Sequence, residues 1–200
     1  MTGIDRLISA SLSQIIKKKM NADERISLER KLFLEHGMSI KLSIEHFDKF
    51  NEIFKNISNI DKEKFINECI SEIIKIKKIN ADYSIKIIDQ NLSNLILELC
   101  GDIESRKILI CLFDNDLTIP QILKESKIPK TSGYRKIENL IINGLILESG
   151  KILTESKRIS KYRCVFDKIK IGMEKNDIII QGIINKKIFD KSTSINNLIN

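Results

Sequence analysis

Arg135 and Asn139 lie four residues apart, so on a helix they share one face, and both carry flat, forked hydrogen-bonding ends. Arg fits the O6 and N7 of guanine, and Asn the N6 and N7 of adenine, in two-point contacts at base edges in a DNA major groove. Ser132 falls on the same side as Arg135 and Asn139. Lys130, Thr131, Tyr134 and Lys136 flank that side, where side chains of their type reach phosphates. A second basic cluster follows. Lys157 and Arg158 occupy a turn, and Lys161 and Arg163 alternate along the strand after it, an arrangement able to track phosphates beside or across the minor groove.

Most exposed Arg and Lys residues are merely solvated, so the charge matters only if it is localised. The chain of 200 residues carries a net +7. Between residues 124 and 170 there are 12 Lys and Arg against 5 Asp and Glu, so this window holds the whole excess and the remainder cancels. That is the footprint of an anion-facing surface. Ile (42), Lys (27) and Asn (16) dominate the composition, and all three use A/T-rich codons, so the Lys total by itself says little.

Other chemistries find less support. Cys69, Cys100, Cys111 and Cys164 are scattered with no C-x-x-C pair, as reduced core thiols would be. His36 and His46 are the only histidines and are distant in sequence from Cys69, so no metal site and no cofactor is expected. There is no G-x-S-x-G, P-loop or G-x-G-x-x-G, and the carboxylate pairs Asp23-Glu24 and Glu45/Asp48 suit solvated helices. The expectation is a protein that is not an enzyme. The start lacks the basic-then-apolar order of a signal peptide, and no apolar run approaches the roughly 18 residues of a membrane span, so a cytoplasmic location with no membrane partner is expected.

The elements that must position these residues follow from periodicity. Ile4, Ile8, Leu12 and Ile15 make a helical stripe closed by Lys17-Lys18-Lys19. Asn21 or Asp23 can cap a second helix that stops at Gly37, Ser39 a third bearing Ile40, Ile44, Phe47 and Phe54, and Asp61 a fourth running through Ile73 and Ile74. Residues 1 to 79 therefore read as all-helical. Tyr83 to Asp89 is β-branched enough for a strand or an extended linker, and the domain boundary is placed there.

Beyond it, Leu92 to Leu99 is apolar, Asp102 can cap a helix to Phe113, and Thr118 caps a two-turn helix with Pro120 in its first turn. Lys127-Ile128-Pro129 breaks the chain, and Thr131 can cap a longer helix ending at Asn143-Gly144. Gly133, Ile137, Leu140 and Ile141 form its buried stripe. Three extended runs follow, joined by Ser149-Gly150-Lys151 and Glu155-Ser156-Lys157-Arg158, then a hairpin that turns at Lys175-Asn176-Asp177 before Ile178 to Ile184. Ser192 to Asn200 reads as frayed.

The stretch GDIESRKILICLFDNDLTIPQILKESKIPKTSGYRKIENLIINGLI resembles the winged helix-turn-helix of ArsR-like transcriptional regulators of archaeal type. The likeness rests on Gly101-Asp102 with Arg106 and Ile108-Leu109, on Leu117-Thr118, and on Ile137, Leu140 and Gly144-Leu145. It implies that the helix at about 131–143 reads the major groove, with Thr131, Ser132, Tyr134 and Arg135 at the matching positions. The paired thiolates of the metal-sensing members are absent.

The expected fold is α+β: an all-helical domain at 1–88 for dimerisation or sensing, a winged helix-turn-helix domain with a C-terminal hairpin at 89–189, and a flexible tail at 190–200. The expected function is sequence-specific, double-stranded DNA-binding transcription regulation by a homodimer, with a wing at about 151–163. The alternative is a winged-helix protein-interaction adaptor in a transcription or replication complex. The N-terminal helices are the first choice for the dimer surface and Ile178-Ile179-Ile180 the second, with an unknown ligand or protein partner at the N-terminal domain left open. The apolar residues from Ile108 to Phe166 suggest that the C-terminal part folds alone.

Overall fold

A computed structural model describes residues 3–57, 61–153, 157–175 and 177–195. Five helices open the chain: α1 (Asp5–Lys19), α2 (Ala22–His36), α3 (Ile40–Glu45), α4 (Phe47–Phe54) and α5 (Lys62–Ser71). Their ends follow the expected capping chemistry. The side chains of Asn21, Ser39 and Asp61 accept from Glu24, Leu42 and Lys64 backbone N–H groups, and Gly37 ends α2 at φ 64°. His46 interrupts the expected third helix with a non-helical turn at φ −124° and ψ 63°, which splits it into α3 and α4. Phe47, Phe50, Phe54 and Phe65 then stack in a line through the helical layer.

The expected fourth helix is too long. It ends at Ser71, and the chain enters β1 (Ile74–Ile79) and β2 (Asp82–Ile87), an antiparallel hairpin. Ile74, Ile76 and Ile79 interleaved with lysines suit a strand better than a helix, because β-branched side chains lose rotamer freedom on a helix. Residues 1–79 are therefore not all-helical.

Three short helices follow α6 (Gln90–Gly101): α7 (Ile103–Cys111), α8 (Ile119–Ser126) and α9 (Lys130–Ile142). Next come β3 (Ile146–Leu153) and β4 (Arg158–Cys164), which pair with each other, then β5 (Lys168–Glu174), β6 (Asp177–Ile184) and the short α10 (Lys186–Phe189). β3 runs through Ser149 and Gly150, where the expected turn is instead a register shift inside one strand. The other expected turns lie partly outside the described residues, at Glu155-Ser156 and at Asn176.

The fold is α+β, and its sheet order departs from the expected division. β1, β2, β6 and β5 lie side by side in a four-stranded antiparallel sheet, with Tyr83 opposite Ile184 and Lys86 opposite Gln181. The chain thus does not separate at 88: strands from both sides of that point share hydrogen bonds, and one apolar core runs from Ile4 to Ile195. Ser11 of α1 donates to Asp89 at 2.6 Å, and Asp89 caps α6. Gly144, at φ 75°, leaves no room for a Cβ, which would lie 2.5 Å from the Leu7 backbone nitrogen.

The tail is also ordered as far as Ile195. Thr193 and Ser194 donate backbone and hydroxyl hydrogen bonds to the buried Asp5 carboxylate, and the Ile4 N–H donates to Ser192 Oγ at 2.7 Å. Ser192, Ser194 and Ile195 are buried, so the expected flexible stretch at 190–200 does not start at 190. Residues 196–200 lie outside the described part.

Candidate nucleic-acid interface

α9 begins one residue before the expected cap. Pro129 occupies the N-cap position with φ −57°, and Thr131 is an exposed residue of the first turn rather than the cap. Behind α9, Gly133 faces Leu123 and Ile128, with no room for a side chain, while Ile137 and Leu140 are buried and Ile141 is half-buried. α8 is held in turn by Gln121, whose Oε1 accepts from both the N–H and the hydroxyl of Thr118. At its far end α9 is fixed by Arg6, which bonds Glu45 at 2.7 Å and reaches the Ile141 carbonyl at 3.5 Å. The outward side of its first two turns is left open, and these are the turns that reach bases when a helix enters a groove.

Lys130, Thr131, Tyr134, Arg135 and Asn139 are exposed. Arg135 and Asn139 share, with Lys136, Glu138 and Ile142, a shallow open depression of about 410 Å³. Asn139 is partly engaged, because Asn143 Nδ2 donates to its Oδ1 at 2.9 Å. Glu138 also lines this depression and is exposed, and a carboxylate can accept from a cytosine amino group.

Two of the expected contacts turn inward. The Ser132 hydroxyl donates to Glu104 of α7 at 3.1 Å, and Lys136 Nζ binds Asp102 at 2.7 Å. Lys136 and the Ser105 backbone N–H together hold the Asp102 carboxyl down at about 2. Ser132 and Lys136 thus orient α9 against α7. Nothing local in the sequence marks these pairs, since each partner is a long way back along the chain.

The β3–β4 hairpin divides similarly. Arg158 and Lys157 are exposed near its tip, and Lys161 is half-buried opposite Gly150. Arg163 points back: it donates to the Phe113 carbonyl at 3.3 Å and to Asp167 at 2.8 Å, so it fastens the base of the hairpin. Leu117, just before α8, exchanges both backbone hydrogen bonds with Tyr162, at 3.0 and 2.8 Å, adding a third extended segment beside β4.

The thiols are all free. Burial pushes Cys69 and Cys111 up to about 11 and Cys164 to about 12, values that keep them protonated and poor as nucleophiles or ligands at neutral pH. Among the described residues no group of three His, Cys, Asp or Glu is placed to hold a metal ion, and no helix is long and apolar enough to cross a membrane. Comparison of the chain with family models, curated proteins and solved structures gives no match.

Proposed function

We propose that the protein is a sequence-specific regulator that binds double-stranded DNA, with α9 in the major groove and the β3–β4 hairpin along the backbone. The observation that carries this reading is the state of α9: buttressed by α7, α8 and α1, with Thr131, Tyr134 and Arg135 left outward on its first two turns and Asn139 on the next. The order α7, α8, α9, β3, β4, with Leu117 bridged to Tyr162, supports a winged helix-turn-helix arrangement. Residues that build an exposed, rigid helix from polar side chains and anchor it from behind suit groove insertion better than catalysis.

The test is selection of bound duplexes from a random pool, followed by affinity measurements on the winners. Arg135→Ala is expected to cost about 1 to 3 kcal/mol and relax one base pair, while Arg158→Ala weakens all sequences alike and lowers the salt slope by about one. Equal effects of both changes on selected and random duplexes would remove the assignment.

A homodimer remains part of the proposal. Ile26, Phe33 and Leu34 of α2 are exposed, whereas Ile180 of the final hairpin is buried, so α2 offers more uncovered apolar surface than the hairpin run does. The adaptor reading is favoured by one observation, the exposure of Ile103 and Ile110 seven residues apart on α7. A partner captured through Ile110, together with no affinity for any duplex, would favour it.

A further inference from the structure

The four-stranded sheet has one face against the helices and one face open. Alternation along the strands puts Ile74, Ile85, Ile87, Ile180 and Ile184 inward, all buried. The other face carries Lys75 and Lys77 of β1, Lys86 of β2, and Lys168 and Lys170 of β5. Register aligns them across the sheet. Lys75 lies opposite Lys86, Lys86 opposite Gln181, and Gln181 opposite Lys170, so a single row crosses all four strands. At about 4.8 Å per strand this row spans about 14 Å.

Two features separate this face from an ordinary solvated one: like charges set directly opposite each other, and acidic residues confined to its turn ends. Some lysines elsewhere pair with carboxylates, as in Lys17–Glu29, Lys19–Glu72, Lys136–Asp102 and Lys186–Asp190, whereas others such as Lys31 and Lys41 have no ion pair among the described residues. The five sheet lysines have no ion pair among the described residues. Like charges directly opposite each other on a sheet oppose folding, and Lys75 against Lys86 is such a pair. The acidic residues of this face stand at its turn ends: Asp82, which accepts from the Lys186 N–H, and Glu174 and Asp177, which lie opposite each other where β5 meets β6.

We infer that this open face of the β1–β2–β6–β5 sheet is a second phosphate-binding surface, fitted to the backbone of duplex nucleic acid and separate from α9. The polyanion is identified by charge complementarity, and its being duplex DNA rests on the function proposed above. Single strands fit less well, since their binding needs aromatic platforms and no Phe, Tyr or Trp lies on this face. The contact is blind to sequence. It adds to affinity and to salt dependence, and leaves base preference to α9.

The test compares the full chain with the triple variant Lys75→Ala/Lys86→Ala/Lys170→Ala on a random duplex of about 30 base pairs, titrated from about 50 to about 200 mM salt. Loss of two to three phosphate contacts is expected to lower the salt slope by about 2 to 3 and the affinity for random duplex by at least about tenfold at the lower salt. The matching triple Lys→Arg variant should keep both, and circular dichroism should show all three proteins folded. Arg135→Ala should change base preference and leave the random-duplex slope nearly as it was.

An unchanged slope and affinity in the Ala variant overturn the surface and leave the α9 reading intact. Binding to phosphatidylserine/phosphatidylcholine vesicles through the same lysines, with no duplex affinity, overturns the inference in favour of a membrane surface. Absence of binding to both probes overturns it outright.

Discussion

Two carboxylates of opposite character set the acid behaviour of single residues. Asp102 is held at about 2 by Lys136, below an unfolded value near about 4, so its stabilisation is complete above pH 4 and is lost as pH falls through 2. More than a third of its side chain is open to solvent, which limits the effect to under about 1 kcal/mol. Asp5 behaves in the reverse sense. Burial raises its pKa despite the hydrogen bonds from Thr193 and Ser194, so its contribution is full below the unfolded value and falls as pH rises through the folded one. Asp102→Asn should therefore flatten the acid limb of a stability curve between pH 4 and 2, and Asp5→Asn should flatten the limb above pH 4; both can be read from urea midpoints across pH. At Gly144 the backbone itself is constrained. Gly144→Ala adds left-handed strain and a clash with the Leu7 backbone, and should cost more than about 2 kcal/mol by the same measurement.

Among the elements, the helices and their caps were legible in the sequence where the signal is local. Asn21, Ser39, Asp61 and Asp102 each lie three residues before the N–H they accept, so the cap and its helix are read together. β1 was not legible, because Ile73, Ile74 and the preceding helical stripe fit a helix until Lys75-Ile76-Lys77 imposes the alternating period. The exposed half of α9 followed from its buried stripe, whereas the diversion of Ser132, Lys136 and Arg163 depends on Glu104, Asp102 and Asp167, partners that only tertiary packing supplies. The lysine row was hidden for the same reason: Lys75 and Lys86 belong to one hairpin and Lys170 to another, and only the β2–β6 pairing brings them together. Within the first hairpin, Lys86→Glu should replace repulsion with attraction to Lys75 and raise stability by about 0.2 to 1 kcal/mol, measurable as a higher melting temperature.

At the scale of the whole molecule, the shared sheet and the clasp at Asp5 imply that residues 89–200 do not make an independent domain. That fragment would expose the inner faces of β6 and Phe166 and lose β2, one of the two strands that pair with β6, so it should lack a cooperative thermal transition in calorimetry. Phe33→Asp on α2 should shift the full chain toward a smaller species in sedimentation if the dimer forms there, with the fold unchanged because Phe33 is exposed. The order of synthesis adds a further consequence of the β2–β6 pairing. β2 leaves the ribosome long before β6 exists, and at about 5 to 20 residues per second the wait is of the order of seconds. During that interval the nascent chain carries a hairpin whose Tyr83–Lys86 edge has no strand beside it, a template open to any extended segment of a neighbouring nascent chain. The lysines that crowd this hairpin repel such a neighbour, so the charge that opposes the finished sheet guards the unfinished one.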